Sequence, residues 1–357
     1  MTTKLLFSDT QSAFSQLNRM LKGKAYKYAR FFILVDENSF AHCFPTFMAS
    51  VPALERVDFF EVPVGEEAKS IEIATQLWQS LLEAGADRRS VVINLGGGCV
   101  SDLGGFVAAG FKRGIRYINV PTTLVGMVDA AIGGKTAVNL GSSKNQVGFF
   151  HHPEAVVFYP KFFDTTTDEQ KISGCFEVLK TFLLSDAAWL KSFEQFLSAS
   201  LVNDEEKLWE LVVRRCAEFK SDVVKADPSE RSVRKILNLG HTFGHGYESF
   251  RMATGKPVPH GVAVGIGLLC ELYLSVKKVG LSDQVLADYV KATKSLVKVP
   301  RITLKDSEGI LSFMRQDKKN RGGQILCTLL QDVGTPVIDV AIDDNEVRDA
   351  LLHAHKL

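Results

Sequence analysis

Two patterns predict an α/β chain, with an N-terminal Rossmann-like parallel-sheet domain over 1–160 and a mainly α-helical C-terminal domain over 161–357. Through the first 160 residues, short β-branched and aromatic runs alternate with longer helical patterns, the rhythm of a parallel sheet with crossover helices. From about Asp164 onward, successive amphipathic helices replace that rhythm. At 357 residues with 46% hydrophobic side chains, the chain can bury two cores, and a site where the domains meet is the expectation.

The strands expected in order are Phe31–Val35, Val57–Val62, Val91–Leu95, Tyr117–Val120 and Val156–Tyr159, with a helix over Ile71–Ala84 among them. Helices follow around Glu177–Leu184, Glu205–Val224, Val233–Phe250 and Val262–Val279. Ile325–Leu330 and Pro336–Val340 flank Asp332-Val333-Gly334, which reads as a hairpin, and a last helix starts near Asp344. With 42 basic against 41 acidic side chains, there is no overall pull toward nucleic acid or a membrane surface, though a locally basic pocket for one small anion fits. Six scattered cysteines without a CxxC pair suit a reducing compartment. The N-terminal MTTKLLFSDTQSAF has no uninterrupted apolar stretch of signal-peptide length and no window approaches a membrane span, so a cytoplasmic protein is expected.

Strand Val91–Leu95 runs into GGGCVSDLGGF, placing Gly96, Gly97 and Gly98 ahead of Asp102, Gly104 and Gly105. Glycines directly after a strand let backbone N–H groups approach a pyrophosphate, and the helix that follows adds partial positive charge. The same cluster also serves as a tight turn or a close helix-sheet contact. Its spacing is not GxGxxG and it comes late for a first dinucleotide-binding turn, which counts against an ordinary Rossmann dehydrogenase. The next segment carries Arg113, Pro121-Thr122-Thr123, Asp129, Lys135 after two glycines, Lys144 and Asn145, a set suited to an exposed phosphate or to a solvated loop.

Further on, Arg234, Asn238, His241 and His245 are spaced by four, three and four residues, so a single helix would carry all four on one stripe. Gly240 and Gly244 in that stretch cost helix propensity and permit close approach. His260 opens another helix and can supply a third imidazole, while Glu177, one turn before Lys180, is the best carboxylate for an open divalent site. Such a set accepts zinc, cobalt, iron or manganese as a Lewis acid. HExxH is absent, so nothing points to a zinc protease.

In order along the chain, GEEAKS, GGGCVSDLGGFVAAGFKRGIRYINVPTTL, VDAAIGGKTAVN, SSKNQVG, FEVLK, LNLGHTFGH, HGVAVGIGL and DKKN resemble the 3-dehydroquinate synthase family of sugar phosphate cyclases, from about Asp36 to Asn320. The resemblance implies conversion of 3-deoxy-D-arabino-heptulosonate 7-phosphate to 3-dehydroquinate and phosphate in the shikimate pathway, with catalytic NAD and a divalent metal, usually zinc. It implies Glu177, His241 and His260 as metal ligands, with His245 a catalytic imidazole beside them. It implies an NAD site drawing on Asp36, Glu66, Lys69, Gly97, Gly98, Asp102, Thr122 and Thr123. Substrate contacts would come from Asp129, Lys135, Lys144, Asn145, Lys180, Lys220, Arg234, Asn238 and the pair Lys318-Lys319, and Arg113 would cross a homodimer interface.

Ser101, Cys175-Phe176 and Thr181-Phe182 depart from the family pattern beside these positions. Gly133-Gly134-Lys135 and Lys144-Asn145 favour the dehydroquinate-forming member over cyclases that make valiolone or inosose rings. Two other readings are a metal- and NAD-dependent polyol dehydrogenase of the glycerol dehydrogenase type, and a metabolite-binding relic that has lost turnover.

Overall fold

The computed structural model describes residues 3–8, 12–141, 143–201, 206–316 and 324–354. The chain forms two compact units, one of Met1–Thr167 with Trp209–Lys225 and the other of Asp168–Leu208 with Ala226–Leu357. The first carries strands β1 (Lys4–Leu6), β2 (Phe31–Asp36), β3 (Asp58–Val62), β4 (Val91–Gly96), β5 (Arg116–Pro121), β6 (Lys135–Leu140), β7 (Ser143–Phe150) and β8 (Ala155–Val157). Its helices are α1 (Ala13–Leu21), α2 (Glu37–His42), α3 (Phe44–Ser50), α4 (Ile71–Glu83) and α5 (Gly98–Gly110). Six strands form one parallel sheet in the order β1-β8-β5-β4-β2-β3, while β6 and β7 pair separately as an antiparallel hairpin.

That order creates the site of this unit. After β2 the chain crosses to β3 on one side, and after β4 it crosses to β5 on the other, so β2 and β4 form the switch point of the sheet. Crossovers leaving a strand pair in opposite directions open a crevice at the strands' carboxyl ends. Asp36 ends β2 and Gly96 ends β4, so the glycine run opens into that crevice. Behind it, α5 lies tight on the sheet: a Cβ at Gly104 would fall 1.8 Å from Asn94 Oδ1. Asn94 is held there, its Nδ2 donating to Asn119 Oδ1 at 2.9 Å, and Asn119 Nδ2 donates to the Ala131 carbonyl at 2.9 Å. Phe32, Leu34, Val92, Leu103, Phe106 and Val107 build the core between α5 and the sheet.

The second unit contains α6 (Asp168–Ser185) and α7 (Trp189–Leu201); most of α8 (Glu206–Ala226) belongs to the first, where Trp209 meets Phe163 edge-to-face with ring centroids 4.8 Å apart. The second unit continues with α9 (His241–Ala253), α10 (His260–Val279), α11 (Asp283–Thr293) and α12 (Leu304–Met314). The expected hairpin is present as β9 (Ile325–Asp332) and β10 (Thr335–Ile342), turning at Gly334 with a left-handed φ of 78°, and α13 (Asp344–Ala354) closes the chain. No helix among the described residues is long and apolar enough to cross a membrane.

One expected element does not form. Instead of a single helix over Val233–Phe250, a 3₁₀ segment runs over Val233–Asn238, Leu239 turns extended with ψ 126°, and Gly240 enters the left-handed region at φ 80° before α9 begins at His241. The four-three-four spacing fits a helix, but the left-handed glycine interrupts it, so Arg234 and Asn238 do not share a stripe with His241 and His245. The expected strand Val156–Tyr159 also shortens, to Ala155–Val157, and its Tyr159 instead leads into the 3₁₀ turn Pro160–Thr165.

Candidate active site

In the first unit, the switch point gathers charged side chains from three directions. Gly97 is the N-cap of α5 and gives its first turn no side-chain cap; Cβ atoms at Gly97 and Gly98 would come within 3.1 Å of Thr123 and Ala130. The backbone there is a close-packed cradle without a side-chain cap, which fits a pyrophosphate. Asp36 caps α2, accepting the Ser39 N–H at 2.7 Å, and Thr123 Oγ1 accepts the Gly126 N–H at 3.1 Å. Thr122 ties the strand ends together, its N–H donating to the Gly96 carbonyl at 3.0 Å.

Lys69 is buried and donates to Asp102 at 2.7 Å and to Asn145 Oδ1 at 2.6 Å. Burial alone would lower its pKa, but Asp102 foremost, with Glu66, holds the ammonium above its usual range. Glu66 accepts from Asn139 at 2.9 Å and pairs with Lys144 at 3.4 Å. Asn145 adopts φ 54° and donates its N–H to Asn139 Oδ1 at 3.0 Å, so the β6–β7 hairpin is fastened to the glycine helix through side chains. Asn139 was not among the expected residues; its place on a short polar hairpin carries no periodic signal. Cys99, in the first turn of α5, has its thiol pushed up to about 12, by desolvation first and then by the nearby Glu66 carboxylate.

Asp129 lies in a π-helical turn, Gly126–Ala130, where Lys220 of α8 reaches its carboxylate at 3.0 Å and its carbonyl at 2.7 Å. Lys135 is exposed at the start of β6, and Arg113 is exposed with a left-handed φ of 68°.

The second unit brings Glu177, His241, His245 and His260 together. The carboxylate of Glu177 is wholly buried, its Oε1 lying 3.4 Å from His260 Nε2 and 3.8 Å from His241 Nε2. One ring nitrogen from each of His241, His245 and His260 lies within 4.8 Å of the others. The rings are aimed from behind. His260 Nδ1 faces Glu248 at 3.2 Å, and His241 Nδ1 faces the Leu239 carbonyl at 3.1 Å. His241 and His260 thus present Nε2 toward Glu177 while an oxygen holds Nδ1, the support that metal-bound histidines require. Burial pulls the His260 imidazolium down, yet Glu248 and then Glu177 outweigh it and raise it to about 10. Glu248 was missed in the sequence, although it falls seven residues after His241, two turns along the same helix face.

Lys180, buried one turn beyond Glu177, contacts its Oε2 at 2.7 Å. Arg234 is buried and donates to the Pro228 carbonyl at 2.8 Å, while its own N–H reaches Asp227 at 3.1 Å. Asn238 donates to Glu230 at 3.0 Å. The departures at Cys175, Phe176, Thr181 and Phe182 are all buried, and Phe176 fills the notch left by Gly265, where a Cβ would lie 2.4 Å from its ring. Ser101 is buried within α5. Lys318 and Lys319 lie outside the described residues.

A switch-point glycine turn in a parallel sheet, with an acid-and-imidazole cluster in a helical unit, places the chain in the fold of the sugar phosphate cyclases. A 2-epi-5-epi-valiolone synthase from Streptomyces hygroscopicus subsp. jinggangensis 5008, solved with NAD+ and Zn2+ bound, matches with a TM-score of 0.80 at 26% identity, covering 92% of this chain and 91% of that one. A 2-deoxy-scyllo-inosose synthase complexed with carbaglucose-6-phosphate, NAD+ and Co2+ shares the fold, with a TM-score of 0.80 at 21% identity over 96% of this chain and 94% of that one. Within this class the chain belongs to the 3-dehydroquinate synthase family: residues 59–173 match its N-terminal part and 174–320 its C-terminal part. The 3-dehydroquinate synthase of Parabacteroides distasonis is 37% identical over 331 residues, 92% of this chain and 91% of that protein. The chain is therefore an enzyme of the phosphate-eliminating cyclase kind.

Proposed function

We propose that the protein converts 3-deoxy-D-arabino-heptulosonate 7-phosphate to 3-dehydroquinate and phosphate, the cyclising step of the shikimate pathway toward aromatic amino acids, as a cytoplasmic homodimer. The observation that carries this reading is the buried carboxylate of Glu177 facing His241 and His260 at 3.8 and 3.4 Å in a chain of this family. Residues 1–160 would form the NAD-binding domain and 161–357 the domain holding metal and substrate hydroxyls.

Glu177, His241 and His260 would hold a divalent ion, zinc or cobalt. Asp36, Glu66, Lys69, Gly97, Gly98, Asp102, Thr122 and Thr123 would bind NAD. When bound, the ion polarises neighbouring hydroxyl oxygens and NAD reversibly accepts hydride from carbon.

His245 moves the proton of the C5 hydroxyl, directly or through water. A ketone at C5 acidifies the adjoining C–H, and the leaving phosphate's own oxygen can accept that proton, so no dedicated protein base is needed for elimination. Lys135, Asn145 and Lys180 would hold the phosphate in the pose this transfer requires, helped by a lysine of the Lys318-Lys319 pair. Asp129, Lys144, Lys220, Arg234 and Asn238 would orient the remaining oxygens, with Arg113 supplied by a second copy of the chain. After phosphate departs, hydride returned to C5 would restore the alcohol there, and the resulting enol pyranose would open and reclose by intramolecular aldol addition.

Incubation with the heptulosonate phosphate, the metal and substoichiometric NAD is expected to release orthophosphate and carbocyclic product together without accumulating NADH. A polyol dehydrogenase would instead form stoichiometric NADH from glycerol, and phosphate release without a dehydroquinate ring would point to another cyclase activity.

A further inference from the structure

Glu271 has no part in the reaction described above, yet its carboxylate is wholly buried on α10. A buried carboxylate persists only where donors compensate its lost hydration. Here the donors belong to the neighbouring helix. Oε2 accepts the Gly240 N–H at 2.5 Å and Oε1 accepts the Thr242 N–H at 3.2 Å. Gly240 is the N-cap of α9 and Thr242 stands in its first turn, whose donors have no partner within the helix. The N-cap offers no side chain, so α10 supplies the cap, and its negative charge sits at the positive end of the α9 dipole.

Two helices rarely come close enough for this. A Cβ at Gly267 would fall 1.9 Å from the Gly240 carbonyl oxygen and 2.6 Å from the Gly244 nitrogen, so α9 and α10 meet backbone to backbone at these positions. Glu271 follows Gly267 by one turn on the same face and therefore lies over the Leu239–Gly240–His241 corner. Its own turn is anchored in turn: Ser275 Oγ donates to the Glu271 carbonyl at 2.6 Å and accepts the Leu330 N–H of β9 at 2.9 Å.

His241 is the first residue of the capped helix, and the Leu239 carbonyl of the same corner faces its Nδ1. We propose that Glu271 is a positioning residue for the metal centre: by capping α9 from α10 it fixes this corner and hence the direction of His241 Nε2. The proposal rests on the metal-site reading of Glu177, His241 and His260.

The test measures zinc affinity by competition with a chromophoric chelator, the visible absorption of the cobalt-substituted protein, and folding by far-ultraviolet circular dichroism. E271Q keeps the size of the side chain but turns an NH2 against one of the two N–H donors. It should bind zinc at least about tenfold more weakly and shift the cobalt bands while staying folded. E271D, which keeps the charge at a shorter reach, should fall between E271Q and the unaltered protein and remains measurable if E271Q does not fold. S275A removes the side-chain ties of this turn but leaves both carboxylate-to-N–H bonds of the cap in place, so it should lower thermal stability with a far smaller change in zinc affinity and cobalt bands than E271Q. Folded E271Q or E271D with unaltered zinc affinity and cobalt bands overturns the proposal. Failure of the unaltered protein to bind zinc would instead overturn the metal-site reading itself.

Discussion

Replacing Glu177 by Gln should destabilise the metal-free protein far more than an isosteric change normally does. The side chains of Glu177 and Lys180 are 0% and 2% exposed, and the ammonium lies 2.7 Å from the carboxylate. At an effective dielectric of about 20, that separation is an attraction of about 6 kcal/mol, most of it offset by the cost of drying both ions. E177Q removes one ion and leaves the other buried with its hydration already lost, which costs about 3–5 kcal/mol. K180M alone strands the carboxylate similarly, although the His260 imidazolium 3.4 Å away compensates part of the loss. The double variant E177Q/K180M removes both charges, and Met fills the space of the lysine stem, so the coupling between the changes should be on the order of 2 kcal/mol. Urea unfolding of the four chelator-treated proteins measures this cycle. A loss below about 1 kcal/mol for E177Q, or a double variant as unstable as the sum of the singles, would refute the claim that the pair is a dry, mutually dependent unit.

His241→Ala should remove retained zinc and turnover while the fold persists; elemental analysis after gel filtration showing full metal occupancy would end the ligand assignment. Lys135→Ala, an exposed change, should raise KM for the phosphorylated substrate with little effect on melting temperature, and an unchanged KM would free this residue of its phosphate role. Gly104→Ala should cost about 1–3 kcal/mol in thermal or urea unfolding, because the new methyl meets an Asn94 side chain locked by Asn119. Asp227 accepts backbone N–H groups of Ser232, Arg231 and Arg234 at 2.7, 3.0 and 3.1 Å; burial would raise its pKa, but these donors and the Arg234 charge win and hold it below the usual carboxylate range. A depressed folded-state pKa adds stability above the unfolded value near ~3.9, and that stability disappears as pH falls through the folded value. Asp227→Asn should therefore lower the melting temperature at pH 7 and converge with the unaltered protein as pH falls from the unfolded value through the folded one, whereas a constant gap across this range would rule the mechanism out.

The parallel-sheet unit was legible because its signals are local. Hydrophobic runs four to six residues long, with glycines after β4, mark strands and a turn wherever they occur, and β2, β4 and β5 formed close to their expected bounds. The hairpin at Gly334 was legible for the same reason. The helix over Val233–Phe250 was misread because spacing alone cannot distinguish one helix from two segments that happen to keep its phase. Gly240 was the available signal, a breaker whose left-handed φ aims the chain afresh. The break leaves the Gly240 and Thr242 N–H groups without partners inside a helix, and Glu271 accepts both.

The residues the sequence concealed are those that act at a distance. Glu248 and Glu271 touch no proposed substrate; one lies behind His260 and the other beneath the start of α9. Asn139 likewise joins Glu66 to the backbone of Asn145 across a hairpin. Asn139 and Glu271 meet partners set by tertiary packing, which neither helical nor strand period reveals, whereas Glu248 does share the His241 face at helical spacing. Reactive residue types are legible because their chemistry is restricted to a few side chains, whereas a supporting carboxylate resembles any solvated glutamate until its burial is known. The bounds on this site's geometry therefore come from close-packed glycines as much as from charge: Gly267 lets Glu271 reach α9, and Gly265 makes room for Phe176 beside Glu177. Enlarging either glycine should disturb ligand direction before it disturbs ligand identity, which separates the positioning of this centre from its composition.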